Sequence, residues 1–218
     1  MSWQKQPILV FDTETTGLDS HVNRIIEIAW TSYAHGEIHG EGSFLLDPQC
    51  DIPEFITTLT GITQADTIGQ PTFGQFAPHL DELLLLHPIV CGYNAIGFDK
   101  HFLIAELIRC GATHTIQALL QRPWIDPLIW VRHFQKYEKG KKLVQAAERL
   151  GINVGTQHRA LSDAKTCMEI MHHYLPKMPR DLGRALELQQ EWAQESDANY
   201  GEWRSKREEI GVEDENGV

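Results

Sequence analysis

Ile8-Leu9-Val10-Phe11-Asp12-Thr13-Glu14 ends on two acids, and Thr15-Thr16-Gly17-Leu18 follows as a turn. Four consecutive apolar residues bounded by a turn signal read as a buried strand. Side chains two apart on a strand share a face, so Asp12 and Glu14 project together from its carboxyl end. Two like charges at the edge of an apolar core repel each other and lose hydration unless a cation sits between them. The decisive question is which other carboxylates reach the same place.

Working outward, Arg24–Tyr33 reads as a second strand with Ile25, Ile26, Ile28 and Ala29 buried, and Glu37–Leu46 as a third after the turn His35-Gly36. Short turns between three strands imply an antiparallel meander. Asp47–Gly61, with Pro48 and Pro53, reads as loop. Thr63-Gln64-Ala65-Asp66 has the form of a helix-capping box. Pro71-Thr72 opens a helix with Phe73, Phe76, Ala77, Leu80, Leu83 and Leu84 at helical spacing. Pro88–Tyr93 is a short apolar strand; Phe98, Phe102, Ala105 and Ile108 mark a helical face closed by Gly111. Trp124-Ile125-Asp126 is a last short strand, followed by helices over Leu128–Phe134, Lys142–Leu150 and Arg159–Leu175. A meander followed by alternating helix and strand implies an α/β fold, a mixed sheet with helices on its faces. Residues 1–178 read as one domain and 179–218 as a C-terminal extension, helical around Leu182–Gln194 and disordered at Gly211–Val218.

No apolar run approaches the roughly 20 residues that span a bilayer, and no basic, then apolar, leader is visible. The cysteines, Cys50, Cys91, Cys110 and Cys167, lack metal-ligand spacing and read as reduced thiols, so the expected location is the cytoplasm. The net charge is −11, and residues 181–218 hold 11 acids against 4 bases. That balance argues against tight, passive, charge-driven binding to a polyanion.

Asn94 lies just past an apolar strand, and Asp99 in the first turn of the next helix, where the helix dipole favours a negative charge. His158 precedes the helix at Arg159, and Asp163 stands at the edge of its buried stripe of Ala160, Ala164, Cys167, Met168 and Met171. Each segment alone has an ordinary structural explanation. Together Asp12, Glu14, Asp99 and Asp163 offer oxygen-only ligands of high charge, which suit Mg²⁺ or Mn²⁺ rather than Zn²⁺. Two such ions can hold a phosphodiester, activate a water and stabilise a leaving oxygen. A histidine can take that water's proton at neutral pH.

Asp12-Thr13-Glu14-Thr15-Thr16-Gly17-Leu18, Asn94…Phe98-Asp99 and His158-Arg159-Ala160-Leu161-Ser162-Asp163-Ala164 resemble, in order and spacing, the three motifs of the DEDDh (DnaQ-like) 3′–5′ exonucleases. Leu59-Thr60-Gly61-Ile62-Thr63 and Pro71-Thr72-Phe73 resemble that family's connecting segment, so the likeness covers roughly residues 7–176. It implies a ribonuclease H-like fold, a five-stranded mixed sheet flanked by helices. It also implies two divalent cations, Mg²⁺ or Mn²⁺, held by Asp12, Glu14, Asp99 and Asp163, with His158 as general base and nucleoside 5′-monophosphates as products. Thr15, Thr16, Gly17 and Leu18 would contact the terminal nucleotide, Gly61 and Ile62 would line its pocket, and Asn94 would orient the substrate or the loop. Asn94 and Asp99 are one residue further apart than is usual in polymerase proofreading subunits, and Tyr93 replaces a common His. That spacing is closer to free-standing members: exonuclease I, the three-prime repair exonucleases and oligoribonuclease.

The expected substrate is single-stranded DNA or DNA 3′ ends, with no membrane partner. The alternatives are an RNA-directed exonuclease or oligoribonuclease, a polymerase proofreading subunit, and a catalytically silent nucleic-acid-binding scaffold. Arg132, Lys136, Lys139, Lys141, Lys142 and Arg149 form the one basic stretch; it reads as a solvated face, with strand steering as the alternative. Trp192 and Trp203 would pack the extension onto the body or anchor a protein partner.

Overall fold

The computed structural model describes residues 2–155 and 159–209, with side chains described as far as residue 198. Five strands form one sheet in the order β3-β2-β1-β4-β5: β1 (Ile8–Thr15), β2 (Ile25–Ala34), β3 (Glu37–Leu45), β4 (Ile89–Cys91) and β5 (Trp124–Ile125). β1, β2 and β3 pair antiparallel, while β4 and β5 join them in parallel. The helices are α1 (Glu54–Thr60), α2 (Gln64–Thr67), α3 (Phe73–Leu86), α4 (Asp99–Arg109), α5 (Thr113–Gln121), α6 (Pro127–Phe134), α7 (Leu143–Arg149), α8 (Ala160–Tyr174) and α9 (Leu182–Glu209).

β1 is central because its apolar run is buried on both faces. Ile8 and Val10 join a core that includes Trp130 of α6, Ala146 of α7 and Cys167 and Met171 of α8. Leu9 and Phe11 face the opposite core, with Phe76 and Leu80 of α3, Phe102 of α4 and Leu119 of α5. This alternation fixes where the polar residues at the end of β1 must point.

Some expectations need correction. The stretch read as loop holds α1, which follows Pro53 and ends at Gly61 in the left-handed region (φ 73°), where glycine is the favoured residue. α5 went unread. The buried face of α4 is Asp99, Phe102, Leu103, Glu106 and Leu107; Ile108, expected inside, is 63% exposed. α9 continues well past Gln194, and its first half packs through Leu182, Ala185, Leu186 and Trp192 on the core containing α6 and α8. Trp192 stacks on His133 with ring centroids 3.9 Å apart. The side chain of Trp203 and the segment Gly211–Val218 lie outside the described residues.

Candidate active site

Strand parity sorts the end of β1. Asp12 and Glu14 continue the Ile8/Val10 face towards α8, which carries Asp163 in its first turn. Carboxylate oxygens of Asp12, Glu14 and Asp163 lie within 4.8 Å of one another. Thr13 continues the Leu9/Phe11 face towards α4, and its Oγ1–H donates to Asp99 Oδ1 at 2.7 Å. Thr13 therefore fixes Asp99 beside the trio, a role that the alternation of β1 implies.

The electrostatics are those of a crowded acid cluster. Burial first, then Asp99, Asp163, Glu14 and Glu27, hold the Asp12 carboxyl well above the usual carboxylate range. Burial, with Asp163, Glu27 and Asp99 behind it, pushes Glu14 up to about 7, while Arg159 pulls it down. Burial pushes Asp99 up to about 6 against the opposing Thr13 hydrogen bond. Glu27, directly opposite Glu14 on β2, was also missed. It is a charged residue inside the apolar run Ile25–Ile28, 2% exposed, with one oxygen held by Ser43 Oγ at 2.5 Å.

An all-oxygen set whose members raise each other's pKa fits a hard divalent cation, whose charge offsets the repulsion. The folded pKa of Asp12, Glu14 and Asp99 lies above the unfolded value. The contribution of Glu14 and Asp99 to stability is thus present below about pH 4 and is lost as pH rises to about 7, and that of Asp12 is lost in the same direction. Cation and proton compete for the same oxygens. In EDTA, the thermal midpoint is expected to fall between pH 5 and pH 8, all else being equal. Mg²⁺ or Mn²⁺ should raise it more at pH 8 than at pH 5, as read by scanning fluorimetry. Equal increments at both values would contradict the cluster's role.

The residues expected to meet substrate divide into two groups. Thr15 Oγ1 donates to Gly17 O at 2.6 Å, and Thr16 Oγ1 accepts from Arg24 N at 3.0 Å. Both side chains are buried and shape the turn, while Leu18 stands 71% exposed. Leu18 lines a cavity of about 410 Å³ with Asp19, His21, Phe98 and His101. Ile62 is buried with Ile26 and Ile56, while Phe55 and Leu59 of α1 are exposed. Asn94 is exposed in the left-handed region (φ 63°), which Asn tolerates better than most residues. A Cβ on Gly92 would come within 2.6 Å of Ala95 Cβ and 3.0 Å of Phe11 O, so the close approach of this loop to β1 requires glycine. His158 lies outside the described residues.

Two further groups lock the surroundings. Glu106 of α4 is 1% exposed and takes a two-pronged ion pair from Arg24, at 2.7 and 3.0 Å. In the basic stretch, Arg149 donates to Gln135 Oε1, Lys139 O and Gly140 O, so it ties the loop together.

The sequence matches the RNase T exonuclease family over residues 9–171. It is 36% identical over 174 residues to a PolC-type DNA polymerase III of Clostridium perfringens, covering 80% of this chain. It is 30% identical over 171 residues to the DNA polymerase III subunit epsilon of Treponema pallidum, covering 75% of this chain and 76% of that protein. The chain spans about 12% of the length of the PolC-type polymerase. The fold matches Escherichia coli exonuclease I in complex with a dT13 oligonucleotide, with a TM-score of 0.68 and 18% identity, over 78% of this chain and 41% of that one. Among the described residues no helix is long and apolar enough to cross a membrane.

Proposed function

Since this chain belongs to the exonuclease family, we propose that it removes nucleotides from the 3′ end of single-stranded nucleic acid, DNA in preference to RNA, releasing nucleoside 5′-monophosphates. The observation that supports this reading best is the convergence of Asp12, Glu14 and Asp163 within 4.8 Å from a strand end and a helix start, with Asp99 buried alongside.

In this reading Asp12, Glu14 and Asp163 hold divalent cations, Mg²⁺ or Mn²⁺, and Asp99 completes the set. The bound ions would supply charge neutralisation at the phosphate and a lowered water pKa. The chain's own groups do the rest. Thr13 holds Asp99 in place by its hydrogen bond. His158 takes the proton of the attacking water as the new P–O bond forms and the P–O3′ bond breaks. Leu18, exposed at the rim, meets the terminal base, and the turn of Thr15, Thr16 and Gly17 holds it there. Gly61 lines the same pocket at the end of α1, and Asn94 orients the strand from the β4–α4 loop. The protein works in the cytoplasm.

A second reading is removal of misincorporated nucleotides for a polymerase, favoured by the polymerase III relatives; the C-terminal extension would then be the protein contact. The test is a panel of 3′-labelled DNA and RNA oligomers, single-stranded and with mismatched ends, in Mg²⁺ or Mn²⁺. Mononucleotide release from single-stranded DNA, abolished by EDTA, is expected. Cleavage restricted to RNA, or internal cuts, would overturn the reading, and a preference for mismatched duplex ends would favour the second.

A further inference from the structure

Asp126 follows β5 and caps α6, and its carboxylate does more than cap. Oδ1 accepts from the backbone N–H of Leu128 at 3.0 Å, which is the N-cap bond of α6. It also accepts from Asn94 N–H at 2.9 Å, and Oδ2 accepts from Ile96 N–H at 3.2 Å. Those two amides belong to the loop between β4 and α4, the loop that leads into Asp99. The carboxylate is 2% exposed, so losing these bonds would leave buried polar groups unpaired.

Asp126 is itself held from the C-terminal helix. Its N–H donates to Gln189 Oε1 at 2.9 Å, and Gln189 Nε2–H donates to Trp124 O at 2.9 Å. Gln189 is 4% exposed and uses both ends of its amide on the end of β5. On the next turn of α9, Trp192 stacks on His133 of α6, which keeps the helix seated. Hydrogen bonds thus run from α9 through Asp126 to residues 94–96; the chain then leads directly to Asp99, which Thr13 of β1 holds.

We propose that Asp126 and Gln189 are positioning residues: they fix the 94–98 loop, and with it Asp99, so that helix α9 aligns the catalytic carboxylates rather than forming an appendage. The consequence for rate rests on the exonuclease reading; the consequence for the loop does not.

The experiment uses the full chain and three variants. Gln189→Met keeps length and removes both hydrogen bonds. Asp126→Ser keeps a hydroxyl to cap α6 but is too short to reach Asn94 and Ile96. Gln190→Met, at an exposed neighbour, is the control. Amide hydrogen exchange over residues 93–99 is expected to quicken about tenfold in the first two variants, with Leu9–Phe11 of β1 still protected. On a single-stranded DNA oligomer, kcat should fall on the order of 10–100-fold with KM little changed. Gln190→Met should match the wild type in every readout. Wild-type exchange at 93–99 in Gln189→Met and Asp126→Ser would overturn the proposal. So would a fall in kcat matched by equal loss of protection in β1, which would mean general destabilisation. If the wild-type chain released no nucleotides, the exonuclease reading would fall, and the exchange result alone would still decide whether α9 holds the loop.

Discussion

Asp12→Asn is expected to abolish nucleotide release, by a factor on the order of 10³ or more, while raising the thermal midpoint in EDTA. Asp12 is half-buried at the end of β1, with its pKa raised by desolvation and by four acidic neighbours. A neutral amide of the same shape removes a repulsive, desolvated charge, and an increase of about 1 kcal/mol corresponds to roughly 2–4 °C for a chain of this size. Loss of function with gain of stability is the signature of a strained site. Asp163→Asn should lose activity to a similar degree. The double variant should be no slower than the worse single one, because the acids act as a unit. A rate within tenfold of wild type in Asp12→Asn, or a lower midpoint in EDTA, would refute this reading of the cluster.

Glu106→Ala is expected to be the most damaging substitution away from the acids. Its carboxylate takes Arg24 Nε at 2.7 Å and Nη2 at 3.0 Å, accepts Ile25 N–H at 3.3 Å, and lies 3.3 Å from Arg109 Nη1. Glu106 is buried but Arg24 is half-buried, so removing the acid costs less than breaking a fully buried pair, about 2–4 kcal/mol, which in a chain of this size lowers the midpoint by about 4–16 °C. Glu106→Gln keeps the shape and should cost less, about 1–3 kcal/mol. Activity should suffer even where the variant is folded, because Arg24 brackets the turn proposed to meet the substrate: its N–H donates to Thr16 Oγ1 and its carbonyl accepts from Thr16 N–H. Urea unfolding of the three proteins checks the order. A cost under about 1 kcal/mol for Glu106→Ala would show that the ion pair does not hold the turn.

What the sequence made legible follows the strength of its local signals. The run Ile8–Phe11 is apolar on both faces, so β1 could be placed, and parity put Asp12 and Glu14 together. The same parity gives Thr13 to α4, but no rule of composition singles out a threonine, and its role emerges only when Asp99 is seen across from it. Pro53 and Gly61 were read as loop residues; they are the residues at the two ends of α1, since the same punctuation serves both purposes. The face of α4 was misread because a buried charge, Glu106, sits in its stripe, and a helix with a charge on its inner face does not look amphipathic. Gln189 left no trace at all: one glutamine in a polar helix has the composition of a solvated surface, and its burial depends on where α9 docks.

The most direct test is a crystal grown with Mn²⁺ and examined by anomalous scattering. Manganese peaks touching the carboxylates of Asp12 and Asp163, absent in Asp12→Ala, are the expected result. Well-ordered acids with no peak between them, at Mn²⁺ concentrations that support nucleotide release, would contradict the claim that these carboxylates hold the ions for the reaction.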